Sequence, residues 1–194
     1  YVTVIGASRT GVVIQGSVTG ASRAALESLT LKPGASPLLT LNNIVMTVTK
    51  VTFDGNGGDV TGIETDGSAV ADALIDACTF KNLAYGIEVY DAIPRIRRSR
   101  FEDISVDGIV LYAVSGKADG GDVGDADDLN SGYNAFVDVD QYAINNQRDE
   151  EIKAQNCYFE NASVSSGVDN SQSLASDLAP GSVLVSVWDS ATQK

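Results

Sequence analysis

Short runs of alternating apolar and polar residues recur along most of the chain. Five copies of one pattern align without gaps: Leu29-Thr30-Leu31, Val51-Thr52-Phe53, Cys78-Thr79-Phe80, Ser99-Arg100-Phe101 and Cys157-Tyr158-Phe159. The last residue of each copy is an apolar anchor, and the first four anchors are 22, 27 and 21 positions apart. A pattern that repeats at this spacing predicts a repeat architecture.

A second pattern follows most anchors after a turn. Its copies are Gly62-Ile63-Glu64-Thr65, Gly86-Ile87-Glu88-Val89-Tyr90 and Gly108-Ile109-Val110-Leu111-Tyr112, with a weaker one at Ala143-Ile144-Asn145-Asn146. Both patterns are short and are broken by Gly, Asn and Asp, which favours strands and turns over helices. Since one such unit cannot bury its apolar face alone, neighbouring units must stack.

The repeats predict an all-β fold, a single-stranded parallel β-helix of about seven to eight coils that forms one domain over residues 1–194. The predicted coils lie near 23–43, 44–68, 69–92, 93–116, 132–148 and 149–171. An acidic loop over 117–131 interrupts them. A capping segment over 172–194 contains one last strand from Ser182 to Trp188.

Stacking places equivalent residues about 4.8 Å apart in columns. The position two residues before each anchor is small or apolar and should point inward, so Cys78 and Cys157 should be buried free thiols, too far apart for a disulfide. The position after the anchor should point outward, and its charge alternates in sign over the first four coils, through Lys32, Asp54, Lys81 and Glu102, before Glu160. The next position, which is Gly55, Asn82, Asp103 and Asn161, should form a corner.

The anchor corner and the Gly-Ile strand resemble the right-handed parallel β-helix proteins of the pectate-lyase-like superfamily, over about residues 1–170. Val2 to Gly16, Asp122 to Gly124, Ser131 to Phe136 and Ile152 to Asn156 are similar to segments of the same group. The resemblance implies a right-handed coil. The superfamily includes polysaccharide lyases, galacturonases, pectin esterases and many surface proteins without assigned activity, so the fold alone does not determine the function.

The charge balance limits the possible partners. The chain carries 13 Lys and Arg against 26 Asp and Glu, a formal net charge of −13, which disfavours nucleic acid and anionic membrane surfaces. No stretch approaches the roughly 18 to 20 apolar residues that span a bilayer, so membrane insertion is not expected. The chain contains no His, so it departs from the Gly-x-His element of the galacturonases.

Five residues on the outward side of the Gly-Ile strands form a candidate carbohydrate-binding surface, termed here the tyrosine–carboxylate face: Glu64, Asp66, Glu88, Tyr90 and Tyr112. Glu64 should stack on Glu88, and Tyr90 on Tyr112. Sugar rings pack on aromatic faces while carboxylates accept their hydroxyls. Ordinary surface ladders would give the same pattern, and nothing in the sequence indicates the burial that raises a catalytic carboxyl pKa.

Two further groups carry alternative chemistry. Arg95, Arg97, Arg98 and Arg100 suit a lyase that acts on acidic sugars, with Arg97, Arg98 or Arg100 as its base, although Arg97 should equally form an ion pair with Asp76 in the coil below. The acidic loop offers possible calcium ligands, namely Asp119, Asp122, Asp125, Asp127 and Asp128. It does not match the EF-hand spacing, and a solvated loop is the simpler interpretation.

The leading hypothesis is a non-catalytic extracellular or cell-surface module that acts as a rigid scaffold or carbohydrate-contacting surface, with calcium as a possible cofactor. One alternative is a calcium-dependent polysaccharide lyase or a related carbohydrate-active enzyme. Another is a structural assembly or adhesion domain that associates with itself through the open ends of the solenoid.

Overall fold

Parallel β-strands make up nearly all of the regular structure. The computed structural model describes residues 2–114, 122–124 and 132–170. Within them the strands are β1 (Thr3–Ile5), β2 (Val13–Gln15), β3 (Val18–Thr19), β4 (Ala25–Glu27), β5 (Thr30–Lys32), β6 (Leu39–Asn42), β7 (Thr47–Thr49), β8 (Thr52–Asp54), β9 (Thr61–Asp66), β10 (Leu74–Asp76), β11 (Thr79–Val89), β12 (Arg95–Arg97), β13 (Arg100–Leu111), β14 (Asp122–Gly124), β15 (Ala135–Val139), β16 (Tyr142–Asn146), β17 (Ile152–Ala154), β18 (Tyr158–Glu160) and β19 (Val168–Asp169). One short 3-10 helix spans Ser68–Asp72.

The strands form three parallel sheets. The first sheet has the order β1-β4-β7-β10-β12, and β12 lies against β14 of a three-stranded sheet β14-β17-β19. The second sheet has 11 strands: one path runs β2-β5-β8-β11-β13-β15-β18, and a branch runs β3-β6-β9-β11 and continues from β13 to β16. Successive units of the first part of the chain thus add one strand to the first sheet and extend both paths of the second sheet. The fold is all-β and consistent with the predicted solenoid.

The pairing confirms the register that the two repeated patterns predicted. Thr79, Phe80 and Lys81 pair with Thr52, Phe53 and Asp54 on one side and with Arg100, Phe101 and Glu102 on the other. Ile87 pairs with Ile63 and Ile109. Residues at equivalent positions of the repeat therefore lie directly above one another, one strand spacing apart.

A column of stacked phenylalanines forms the centre of the core. The ring centroids of Phe53, Phe80, Phe101 and Phe136 follow one another at 4.7, 4.6 and 4.8 Å, and Phe159 stacks on Phe136 at 5.4 Å. The first four rings are fully buried, whereas Phe159 is half-buried. The column therefore runs as one continuous line of aromatic contacts through the stack, surrounded by buried Leu, Ile and Val side chains.

Glycine at the start of the second pattern makes room for these rings. A Cβ added to Gly86 would lie 2.3 Å from the Gly108 carbonyl oxygen and 2.6 Å from a carbon of the Phe101 ring. Such distances are far below a van der Waals contact. Glycine is required here because backbone and aromatic ring approach each other closely.

Phe136 is an anchor that the sequence analysis did not identify. Its unit begins with Asn134, a polar residue at the inward position where the other units have small or apolar residues. Asn134 is fully buried, donates through Nδ2 to the carbonyls of Ile96 (2.9 Å) and Val123 (2.8 Å), and accepts from the Ser99 amide (2.9 Å). The core tolerates this amide because all of these polar groups are paired.

The predicted corner is confirmed in three units and shifted in one. Asn82, Asp103 and Asn161 have φ of 53°, 53° and 49°, in the left-handed region that Asn and Asp tolerate. In the unit of Gly55 the following residue, Asn56, has the positive φ of 56°. Gly55 is needed for space instead, because an added Cβ would lie 2.3 Å from the Asn82 carbonyl oxygen.

The register of the outward charge ladder is confirmed from Asp54 through Lys81 to Glu102, and its first three members, Lys32, Asp54 and Lys81, form ion pairs. Asp54 Oδ2 lies 3.6 Å from Lys32 Nζ and 3.9 Å from Lys81 Nζ. Burial acts to raise the pKa of Asp54, but hydrogen bonds from Asn82 and from the Asn56 amide, together with the two lysines, outweigh it and lower that pKa. The ladder does not run directly from Glu102 to Glu160, because Val137 of β15 lies between them in register.

Both cysteines are free and fully buried, as predicted. They occupy one inward column in which Ser99 and Asn134 lie between them. Burial raises the pKa of the Cys78 thiol to about 12. Such a thiol is a packing residue, since the reactive thiolate is strongly disfavoured.

Candidate functional site

The tyrosine–carboxylate face is assembled by strands β9, β11 and β13 of the second sheet. Glu64 pairs in register with Glu88, as predicted. The tyrosine rings also stack as predicted, since Tyr112 follows Tyr90 with ring centroids 4.6 Å apart and an interplanar angle of 18°. The sequence therefore placed these side chains correctly, while their use in carbohydrate binding stays a prediction.

The carboxylate of Glu88 lies at the centre of a hydroxyl network. Thr61 Oγ1 donates to its Oε2 at 2.7 Å, and Tyr112 OH donates to its Oε1 at 2.7 Å. Tyr90 OH makes a longer contact of 3.5 Å with the same Oε1. Burial and the bond to Glu88 raise the pKa of Tyr112 well above its ordinary value. Glu88 is thus an acceptor that is already engaged, and it holds both tyrosines in place.

Glu64 differs from Glu88 because its carboxylate has no hydrogen-bond partner among the described residues. Burial and the neighbouring charges of Glu88 and Asp66 raise its pKa. Asp66 accepts a hydrogen bond from the Gly67 amide at 2.8 Å. On this face Glu64 is therefore the carboxylate best placed to accept a hydrogen bond from a ligand hydroxyl.

The stacked tyrosine rings offer a ligand their edges and outer faces. At a centroid distance of 4.6 Å the inner faces of Tyr90 and Tyr112 cover each other. Both residues are half-buried. A sugar ring can thus pack only against the exposed part of the pair, since the inner faces are covered.

The sequence analysis missed a second outward column beside this face. Thr61, Tyr85, Asp107 and Tyr142 pair in succession across the strands. Asp107 is buried and accepts from the Tyr142 amide (3.1 Å) and from Asn145 Nδ2 (2.8 Å). Burial raises the pKa of Asp107 although these two hydrogen bonds lower it. The sequence does contain a signal for this column, because each of its members immediately precedes the Gly or Ala that begins the second pattern.

The arginines of the lyase hypothesis are held in structural contacts. Arg97 Nε lies 3.5 Å from Asp76 Oδ1, which confirms the predicted ion pair. Arg98 binds the same carboxylate through Nε at 2.8 Å and also through its Nη2. Arg100 Nε lies 2.6 Å from Glu102 Oε2, and Arg95 Nη2 donates to the Asp72 carbonyl at 3.2 Å. Arg95 to Arg98 belong to the first sheet and its edge, not to the strands of the tyrosine–carboxylate face.

Most of the predicted calcium ligands lie outside the described residues, namely Asp119, Asp125, Asp127 and Asp128. Asp122 begins β14, where its backbone pairs with Lys153. Within residues 2–114, 122–124 and 132–170 there is no group of three or more Cys, Asp or Glu side chains that could hold a metal ion. The calcium site stays a prediction.

A cleft on the second sheet lies apart from the tyrosine–carboxylate face. Its volume is about 270 Å³, and it is lined by Thr10, Val13, Thr30, Lys32, Thr52, Asp54 and Lys81. Both of its lysines pair with Asp54. The two lysines thus share one carboxylate, so these three side chains keep a net charge of about +1 at neutral pH.

Comparisons with protein-family models, with curated proteins and with solved structures find no match to this chain. Among the described residues no helix is long and apolar enough to cross a membrane.

Proposed function

We propose that this chain is a non-catalytic, right-handed parallel β-helix module of the pectate-lyase-like type, and that it acts outside the cell as a rigid scaffold with a carbohydrate-contacting surface. The contacting surface is the tyrosine–carboxylate face. The all-β parallel architecture supports the scaffold, because each coil is paired with its neighbours through register-matched strands. The handedness follows from the resemblance of the repeats to that superfamily.

One observation supports this choice of surface above the others. Glu64 is a half-buried carboxylate without a hydrogen-bond partner among the described residues, and it stands next to a tyrosine pair whose orientation Glu88 fixes. A neutral sugar supplies both missing elements, a hydroxyl donor for Glu64 and an apolar ring face for the tyrosines. A fixed site loses little conformational entropy when a ligand binds.

The arginine contacts favour a binding role over lyase chemistry. A lyase base must lose its proton to act, but an arginine beside a carboxylate is stabilised in its charged form. Arg98 is the clearest case, since its hydrogen bond to Asp76 raises its pKa further.

The test is a binding assay of the whole chain against a panel of neutral and acidic polysaccharides, with and without calcium, together with absorbance of unsaturated sugar products. We expect binding without turnover. Glu64→Gln and Tyr112→Phe should each weaken binding about 5- to 20-fold, the equivalent of about 1–2 kcal/mol for one lost hydrogen bond in a site. Tyr112→Phe keeps the ring but removes the shorter of the two hydroxyl bonds to Glu88 Oε1.

Matched controls separate this surface from the rest of the stack. Tyr158→Phe removes a hydroxyl that donates to Glu160 at 2.9 Å, two units away on the same sheet. Glu27→Gln changes a half-buried carboxylate of the first sheet. Both controls should bind as the unmodified chain does. Release of unsaturated product would overturn the non-catalytic assignment, and equal loss in controls and site variants would overturn the choice of surface.

A further inference from the structure

The cleft on the second sheet contains two lysines beside a single carboxylate. Lys32 of β5 and Lys81 of β11 flank Asp54 of β8 in the outward charge ladder. Both ammonium nitrogens lie within 3.9 Å of the same atom, Asp54 Oδ2. One carboxylate cannot neutralise two ammonium groups, so the cleft keeps a net charge of about +1 in a chain whose formal net charge is −13.

The hydrogen-bond donors of these lysines are open. Their distances to Asp54 Oδ2, 3.6 and 3.9 Å, are those of ion pairs and are too long for hydrogen bonds. Within the part of the chain that the structure describes, neither ammonium group donates a hydrogen bond to the protein. Each ammonium group has three donors. A ligand in the cleft can therefore accept hydrogen bonds from both lysines.

Asp54 is fixed from the side opposite to the lysines. Its Oδ1 accepts hydrogen bonds from the Asn56 amide and from Asn82 Nδ2, both at 3.2 Å. Although burial acts to raise the pKa of Asp54, these bonds and the two lysines lower it, so the carboxylate stays ionised at neutral pH. Asp54 thus holds the two ammonium groups near each other before a ligand arrives, which reduces the entropy cost of binding.

The neighbouring members of the same column do not cancel this positive charge. Glu102 pairs in register with Lys81, but its Oε2 lies 2.6 Å from Arg100 Nε and forms an ion pair there. On the other side, Lys32 pairs in register with Gln15, which is uncharged. The excess positive charge therefore remains at the cleft.

Threonine hydroxyls line the cleft beside the lysines. Thr10, Thr30 and Thr52 contribute to its wall. Arg9 holds the segment of Thr10 against the sheet, because its carbonyl accepts from Thr30 Oγ1 and its Nη1 donates to Thr79 Oγ1 at 3.3 Å. The hydroxyls of Thr10 and Thr52 make no hydrogen bond to another described residue. They can therefore donate to the same ligand as the lysines.

We propose that this cleft binds a tetrahedral oxyanion, the sulfate or phosphate group of a ligand, between Lys32 and Lys81. Lysine acts on such a group as a point charge with rotatable donors, whereas the planar guanidinium of arginine is the better match for a planar carboxylate. The volume of about 270 Å³ lies just below the roughly 300–1,000 Å³ of pockets for drug-sized ligands, which suits a small group. This inference does not depend on carbohydrate binding at the tyrosine–carboxylate face.

The experiment is a nuclear magnetic resonance titration of the isotopically labelled whole chain with inorganic sulfate and, separately, inorganic phosphate. We expect saturable shifts of the backbone amides of β5, β8 and the start of β11 with at least one anion, and the tighter of the two identifies the preferred group. Sodium chloride at the same ionic strength is the reference, because salt also screens the lysine–aspartate ion pairs. Equal shifts with chloride, or shifts that do not saturate with either oxyanion, would overturn the proposal.

Variants locate the site. Lys32→Gln and Lys81→Gln should each weaken binding of the oxyanion by roughly 10- to 100-fold, as expected for one lost hydrogen bond from a charged donor. Lys81→Arg keeps the charge and should bind more tightly than Lys81→Gln. Lys153→Gln removes the same charge from an exposed position of β17 and should bind as the unmodified chain does. Circular dichroism checks that each variant folds. Equal losses in Lys153→Gln and Lys81→Gln, or no loss in Lys81→Gln, would refute the assigned site.

Discussion

Replacement of Phe101 by alanine tests whether the aromatic column holds the middle of the stack together. The Phe101 ring is fully buried and lies 4.6 Å from the ring of Phe80 and 4.8 Å from that of Phe136. A buried Phe→Ala change costs about 3–5 kcal/mol. The loss here should be near the upper limit, because the ring also packs on Gly86, which has no side chain to fill the cavity.

Two further variants serve as comparisons for Phe101→Ala. Phe159 is half-buried and stacks on one aromatic ring among the described residues, that of Phe136, so Phe159→Ala should cost about half as much, roughly 1.5–2.5 kcal/mol on the same basis. Phe101→Leu keeps most of the apolar volume and should cost less than about 1.5 kcal/mol if the core repacks. The order of the three variants is therefore fixed by burial and by the number of stacked neighbours.

The measurement is urea denaturation followed by far-ultraviolet circular dichroism, with the free energy of unfolding taken by linear extrapolation. Domains of this kind have a total stability of about 5–15 kcal/mol, so the Phe101→Ala effect would be a large shift of the midpoint. If Phe101→Ala costs no more than Phe159→Ala, the reasoning from the column is wrong. A changed slope in Phe101→Ala alone would indicate partial unfolding of the stack instead.

Two further predictions concern titratable groups. Cys78 and Cys157 should react with a thiol reagent only after the chain unfolds, and fast labelling of the native chain would contradict their burial. Glu64 has a raised pKa in the folded state, so its ionised form destabilises the fold above that pKa, and the effect vanishes below the ordinary value of 4.5. Glu64→Gln should therefore raise the melting temperature at pH 7 and leave it unchanged at about pH 3.5. The gain in the free energy of unfolding at pH 7 should be less than about 1 kcal/mol, because the group is partly exposed. An equal shift at both pH values would refute this cause.

The repeated patterns contain most of what determines the strand register. Anchors such as Phe53 and Phe80 are apolar and recur at the coil length, and a slip by one residue would turn each of them to solvent. Register and burial could therefore be predicted from sequence. Phe136 was not recognised as an anchor because the residue two positions before it, Asn134, is polar. Asn134 fits the core only because its amide donates to the carbonyls of Ile96 and Val123, which come from other coils.

The candidate site was predictable only in part. The columns of Glu64 with Glu88 and of Tyr90 with Tyr112 follow from the repeat alone. The hydrogen bond from Tyr112 to Glu88 does not, because it joins neighbouring columns and depends on side-chain rotamers. The orientation of the rings likewise depends on their mutual contact, which no local pattern encodes.

The tyrosine–carboxylate face differs from the rest of the stack because it places two like charges one strand spacing apart. Stacking in register is favourable for apolar residues and for alternating charges, as in Lys32, Asp54 and Lys81. Glu64 opposite Glu88 breaks this rule, since like charges directly opposite each other are destabilising. Glu88 is compensated by its hydroxyl donors, but Glu64 is not compensated within the described residues. Departures from local stability rules concentrate at functional sites. A ligand that donates a hydrogen bond to Glu64 would offset the repulsion between the carboxylates of Glu64 and Glu88.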